Sequence, residues 1–152
     1  MTKLENEIII QAPIEIVWNV LSKVDELENY DPTVLRSNST HVTTEGLGAS
    51  RKVEMKDGKN WFDETCTQHH VNKSITYELT ACSFPIKALK HEYELTTSDA
   101  GTTVRQIMTY QMKYGLFGRL IDTLMVKNQT QKGIGLFFDG LKSFAEKKGE
   151  KN

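Results

Sequence analysis

Residues 74–114 decide the fold: SITYELTAC (Ser74–Cys82), KALKHEYELTT (Lys87–Thr97) and TTVRQIMTYQMKY (Thr102–Tyr114). In the first run Ile75, Tyr77, Leu79 and Ala81 alternate with Thr76, Glu78 and Thr80. In the second, Leu89, His91, Tyr93 and Leu95 alternate with Lys90, Glu92 and Glu94. In the third, Gln106, Met108, Tyr110 and Met112 oppose Arg105, Thr109 and Lys113, with Ile107 an apolar exception on the outer side. A period of two puts one set on a buried face and the other in water, so each run predicts a half-buried strand. The separators Ser83-Phe84-Pro85 and Ser98-Asp99-Ala100-Gly101 are far too short for a parallel crossover, so the strands are antiparallel neighbours.

Working outward toward the N-terminus, the same text continues through Val34–Glu45, Ala49–Lys56 and Trp61–His70. Gly46-Leu47-Gly48, Asp57-Gly58-Lys59-Asn60 and Asn72-Lys73 punctuate these runs. The result is a six-strand meander, with isoleucine-rich Leu4–Gln11 available as a seventh strand. After Ala12-Pro13, the spacing of Ile14, Val17, Trp18 and Leu21 predicts an amphipathic helix with Pro in its first turn. Asp25–Tyr30 predicts a second short helix, closed by Asp31-Pro32 because a residue before proline resists the α region.

Toward the C-terminus, Gly115–Lys148 returns to helical spacing, with Phe117, Leu120, Leu124, Ile134, Phe138, Leu141 and Ala145 on one face. Thirty residues of helix span about 45 Å, enough to lie along a ten-residue strand of about 34 Å. Gly133 and Gly135 each cost roughly 1 kcal/mol in a helix interior, and predict either a kink or a close approach to the sheet. The class is α+β: one domain over residues 1–148, with 149–152 as a flexible tail.

Composition narrows the function classes. The chain has 152 residues, 19 Lys+Arg against 20 Asp+Glu, and a net charge of -1. That balance argues against nucleic acid as partner. With 38% hydrophobic residues and apolar runs no longer than a few residues, no transmembrane span is expected. The first residues, Met1-Thr2-Lys3-Leu4-Glu5, carry no apolar secretory core, so a cytoplasmic location is the expectation. Cys66 and Cys82 are too far apart for a CxxC site and read as free packing residues. His69 and His70 are adjacent on a strand and point to opposite faces, so they predict no metal site. No cofactor fingerprint occurs.

The inner face carries the candidate functional residues. Arg51, Val53 and Met55 alternate with the more polar set Lys52, Glu54 and Lys56 and point inward. For residues 61–70 the alternation leaves two sets open, Phe62, Glu64, Cys66 and Gln68 or Trp61, Asp63, Thr65, Thr67 and His69. For 34–45 it likewise leaves Val34, Arg36 and Asn38 against Leu35, Ser37 and Ser39. Asn128 and Gln131, near the apolar stripe where a packed helix would hold Leu, predict a partly hollow interior.

The N-terminal strand, Ala12-Pro13 opening a helix with Val17-Trp18 and Leu21, Tyr30-Asp31-Pro32, the meander and the long C-terminal helix together resemble the SRPBCC (START-like, helix-grip) superfamily. This group includes polyketide cyclases and aromatases, pollen-allergen-type proteins, hormone receptors and lipid-transfer domains. The resemblance implies a curved seven-stranded antiparallel sheet wrapped around the long helix, two short helices after the first strand, and a cavity between sheet and helix. In the hormone-receptor branch a basic residue on the first meander strand and a glutamate on the third face the cavity. The matching stretches here, Val34-Leu35-Arg36-Ser37 and Asp63-Glu64-Thr65-Cys66, would place Arg36 and Glu64 inside with Gln68, His91, Gln106 and Tyr110. That branch's gate-loop motif is absent, replaced by Asp57-Gly58-Lys59-Asn60, so hormone perception is not implied.

The resulting expectation is a binder or carrier of a small apolar or aromatic molecule, existing as a monomer or homodimer without stable membrane insertion. The predicted lining is Arg36, Val53, Met55, Phe62 and Glu64, then Tyr77, Leu79, His91 and Tyr93, then Gln106, Met108, Tyr110, Leu124 and Asn128. Arg36 would hold a ligand carboxylate through its bidentate fork. The alternative is a cyclase, aromatase or dehydratase acting on a hydrophobic keto substrate, with His91 or Glu64 as base and Arg36, Tyr93 or Tyr110 stabilising an enolate.

Overall fold

The computed structural model describes residues 1–152. Seven strands, β1 (Thr2–Ile10), β2 (Val34–Ser39), β3 (Ser50–Met55), β4 (Trp61–His70), β5 (Ser74–Cys82), β6 (Ile86–Ser98) and β7 (Gly101–Met112), form one antiparallel sheet. Their order is β1-β7-β6-β5-β4-β3-β2, a meander whose first strand closes against its last. Helix α1 (Ile14–Ser22) follows β1 with Pro13 at its N-terminal boundary, and its Val17, Trp18 and Leu21 are buried. The predicted second helix is a single 3₁₀ turn, Leu27–Asn29. The C-terminal helix runs 36 residues, as α2 (Gly115–Ile121), a π turn (Asp122–Val126) and α3 (Lys127–Glu150). It continues through Gly149 and Glu150, which the sequence placed in a tail. Twenty-seven buried apolar residues from the sheet, α1, α3 and the segments that connect them form one cluster.

Five irregularities interrupt the pattern, four slips in strand register and one π turn; the slip between Asp63 and Glu64 leaves Ala81 exposed, and three others move residues nominated for the site. The β2–β3 register slips between Val34 and Arg36. An extra residue reverses which face a strand presents beyond it, so Val34 and Ser37 are buried while Arg36 points outward. Its side chain is 60% exposed and lies 4.0 Å from Glu54 on the outer face. The expectation that Arg36 faces the interior is therefore corrected. The same strand stops at Ser39 rather than Glu45. A second slip, between Cys66 and Gln68 in β4, turns Gln68 out and His69 in, where His69 meets the Trp18 ring edge at 5.0 Å.

The last irregularity is the π turn. Continuous α-helix would put Phe117, Leu120 and Leu124 on the face of Ile134, Phe138, Leu141 and Ala145. A π turn accommodates one extra residue, and at about 100° per residue this rotates everything before it by about that angle. Gly118 and Asp122 consequently face the sheet, while Phe117, Leu120 and Leu124 are exposed. The Asp122 carboxylate anchors this register, accepting from Tyr110 Oη at 2.5 Å and Thr2 Oγ1 at 2.5 Å.

Gly133 and Gly135 mark neither a break nor a contact, since added β-carbons there would meet open space. The close approaches are at Gly118, beneath the Lys113 carbonyl, and at Gly140, beneath the Tyr30 carbonyl.

Candidate ligand-binding site

A diagonal row of inward side chains crosses five strands, assembled from three cross-strand pairs on successive rungs of the sheet. Arg51 pairs with Glu64 across β3–β4, Tyr77 with His91 across β5–β6, and Tyr93 with Gln106 across β6–β7. Arg51 Nε donates to Glu64 Oε1 at 2.7 Å, and Arg51 Nη2 lies 2.5 Å from the same oxygen. The two side chains are 6% and 2% exposed. The guanidinium also sits over the Tyr77 ring, 4.7 Å from its centroid, while the Tyr77 hydroxyl donates to the Leu21 carbonyl at 3.0 Å. His91 Nε2 is 3.9 Å from Glu64 Oε2, beyond hydrogen-bond range. The His91 ring stacks on Tyr93 at 6.3 Å, and Tyr93 Oη accepts from Gln106 Nε2 at 3.0 Å.

Burial sets the ionisation of this row. It pushes the His91 value below its ordinary 6.5; Glu64 opposes that shift and Arg51 reinforces it, so the imidazole is neutral at pH 7. Burial works against the Arg51 charge, yet Glu64, Tyr77 and Tyr30 more than offset it and raise its value. Burial also raises the Tyr30, Tyr77 and Tyr93 hydroxyls and lifts the Cys66 thiol to about 11, so all stay protonated.

The row is not internally complete. Arg51 Nη1, Glu64 Oε2, His91 Nδ1 and Gln106 Oε1 are buried without a hydrogen-bond partner in the protein. Buried polar atoms in folded proteins are nearly always paired, so four in one row need an explanation. Aromatic residues cap the row: Phe137 from α3 lies 5.8 Å from the Tyr93 ring and 5.7 Å from that of Tyr30. Beyond Arg51 and Glu64 the inner face becomes apolar and more open, through half-buried Met55, Phe62, Leu79 and Leu89. Three segments meet at that end. Ser83 Oγ accepts from the Trp61 amide at 2.9 Å and donates to Asn60 Oδ1 at 3.1 Å. The Lys113 amide, just before α2, donates to the Pro85 carbonyl at 2.9 Å.

Of the residues the sequence nominated, the row contains Glu64, Tyr77, His91, Tyr93 and Gln106, with Val53 and Met108 buried on the same face. Tyr110 is buried too, but its hydroxyl is committed to Asp122. Arg36 lies outside. Leu124 is 66% exposed and Asn128 is exposed, because the π turn rotates Leu124 off the sheet and Asn128 lies off the buried face of α3. Gln131, exposed as well, bonds Asn6 rather than lining an interior. Arg51 takes the place that the resemblance gave to Arg36. Its inward alternation with Lys52 was the available signal. Tyr30 and Phe137 were not foreseen as lining.

Two surface recesses lie elsewhere, one of about 330 Å³ beside Tyr110, Arg119 and Asp122, the other of about 560 Å³ beside Pro13 and the β6–β7 turn. No three His, Cys, Asp or Glu side chains are placed to share a metal ion. No helix is long and apolar enough to cross a membrane.

Comparison with known proteins places this geometry. A family model described as polyketide cyclase / dehydrase and lipid transport matches residues 1–146. No curated protein sequence matches the chain. Among solved structures, the Zhui aromatase/cyclase from Streptomyces sp. R1128 superposes with a TM-score of 0.79 at 15% identity, covering 95% of this chain and 93% of that one. Ginseng major latex-like protein 151 from Panax ginseng gives 0.77 at 10% identity, over 95% and 97%. A protein from Thermus thermophilus gives 0.78 at 19% identity, also over 95% and 97%. At these identities the likeness is one of fold, the helix-grip arrangement.

Proposed function

Since the chain belongs to the polyketide cyclase / dehydrase and lipid transport family, we propose that it binds and carries a small apolar or aromatic molecule between the sheet and the C-terminal helix. The observation that carries this reading is the unpartnered edge of the Arg51–Glu64–His91–Gln106 row, set among Tyr30, Tyr77, Tyr93 and Phe137. Mostly apolar walls with a few convergent polar groups are what a small-molecule site requires. The half-buried Met55, Phe62, Leu79 and Leu89 supply an apolar approach, and methionine adapts to ligand shape.

A second reading is catalysis of the cyclase, aromatase or dehydratase kind, favoured by one feature. Neutral His91 stands beside Arg51 and Glu64. It would take a proton from carbon next to a carbonyl, and Arg51 would stabilise the enolate oxygen that forms. Native mass spectrometry of the protein purified from its own host separates the two. A retained apolar molecule is the expected result. Ligand-free protein that turns over a β-keto substrate, with turnover lost in His91→Phe, would replace the carrier with the enzyme.

A further inference from the structure

The C-terminal helix turns its most apolar stretch away from the sheet. Leu116, Phe117, Leu120 and Leu124 are each more than half exposed, Leu116 as much as 82%. At about 100° per residue these four fall within roughly a third of the helix circumference, opposite Gly118 and Asp122, which face the sheet. Single exposed leucines are ordinary, but a contiguous apolar stripe marks an interaction surface. Exposed Met1 shares a surface recess with Leu116 and Arg119 and widens the stripe beyond the helix.

Charge says what covers it. Between Lys113 and Gly135 four residues are basic, Lys113, Arg119, Lys127 and Lys132, against the single acid Asp122. Asp122 is buried and held by Tyr110 and Thr2. The outer side of the segment therefore presents four exposed cations and no anion, and none of the four is paired with a carboxylate. With a net charge of -1 for the whole chain, the rest of the molecule is net acidic. A second copy seated on this face would set the cations against their own counterparts. An anionic bilayer meets both requirements: the apolar side chains enter the acyl boundary while Lys and Arg meet lipid phosphates. A fluid bilayer also receives a side chain that stands out singly, as Leu116 does, without a complementary pocket. Exposed Tyr114, at the head of α2, combines an apolar ring with a polar tip, the form that settles at a membrane boundary. Since no helix is long and apolar enough to cross a membrane, this one lies on the surface rather than spanning it.

We propose that residues 113–132 form a docking face for an anionic phospholipid bilayer, on which the protein rests reversibly with α2 along the surface. The face is separate from the buried row, so the proposal stands apart from the carrier reading.

The test pellets the full chain with vesicles of phosphatidylcholine alone, or of phosphatidylcholine mixed with phosphatidylglycerol, at low and at high salt. Binding to the mixed vesicles is expected to exceed binding to the neutral ones roughly tenfold or more, and to fall at high salt. Phe117→Ser/Leu120→Ser is expected to weaken binding to the mixed vesicles roughly tenfold or more with the Tm unchanged, because both side chains are already in water. Arg119→Glu is expected to weaken it roughly tenfold. Lys73→Glu alters the net charge equally at the opposite end of the sheet, in the β4–β5 turn, and is expected to leave binding unchanged. No binding to either vesicle, equal binding to both, or equal losses in Arg119→Glu and Lys73→Glu overturns the proposal. So does a dimer in analytical ultracentrifugation that Phe117→Ser/Leu120→Ser dissolves, which assigns the face to a second copy. None of these variants alters the buried row, so ligand retention in native mass spectrometry tests the carrier reading separately.

Discussion

Arg51 and Glu64 show how two adjacent strands fix one contact. They face each other across β3–β4, and each is buried among groups that cannot solvate it. Removing one partner strands the other, so Arg51→Met is expected to lower stability by about 3–5 kcal/mol in urea titrations, with Arg51→Met/Glu64→Leu recovering most of it. A double variant no more stable than the single one would count against that account. His91 adds a pH dependence. Its folded value is depressed below 6.5, so the unfolded chain binds the proton more readily. Its contribution is complete above pH 6.5 and is lost as pH falls from there toward the folded value. The urea midpoint is expected to drop more between pH 7.5 and 5.5 in the unaltered protein than in His91→Gln; equal drops would exclude His91 as the source. Most of this row was legible from alternation alone: Glu64 needed a borrowed parity, while His91, Tyr93 and Gln106 did not. Arg36 misled because a single extra residue in β2 reverses which way it points, and bulges leave no mark in an alternating text.

Strand existence and order followed from short turns and period-two runs, and β5 matches its predicted limits residue for residue. The C-terminal helix was legible in length but not in rotation. A stripe is drawn on an ideal helix, and the π turn held by Asp122 lies outside that ideal. Glycines gave the converse error: Gly133 and Gly135 looked constrained and are open, whereas Gly140 passes directly beneath the Tyr30 carbonyl. Two outcomes of opposite sign follow. Gly135→Ala is expected to stabilise by about 0.5–1 kcal/mol through helix propensity. Gly140→Ala is expected to destabilise by about 1–3 kcal/mol, since the backbone of the 3₁₀ turn must move away. Thermal melts of the two variants check both signs. Deleting Thr123 removes the extra residue, so it is expected to restore α geometry with the preceding faces unchanged, Asp122 still on Tyr110 and Leu120 still exposed. Hydrogen exchange is expected to show residues 115–121 no less protected than in the unaltered chain; lost protection there would count against the one-residue account of the π turn.

At the scale of the whole molecule, ligand binding and folding are linked, because only the assembled sheet and helix present the row. A ligand at 100 times its Kd should raise stability by about 2.7 kcal/mol and the Tm by several degrees. A thermal shift that fails to grow with the concentration of a bound aromatic ligand would break that linkage. The order β1-β7-β6-β5-β4-β3-β2 has a different consequence, for synthesis. Ile10 finds its sheet partner in Thr102 and Thr2 in Tyr110, so β1 emerges roughly 100 residues ahead of β7, which at ~5–20 residues per second is a wait of about 5–20 s. Throughout that interval Ile8-Ile9-Ile10 is an unpaired, aggregation-prone edge on a nascent chain. The alternating Glu5 and Glu7, which face Ile107 and Arg105 in the finished sheet, then act as the charges that keep the waiting strand from pairing with its neighbours on the same polysome.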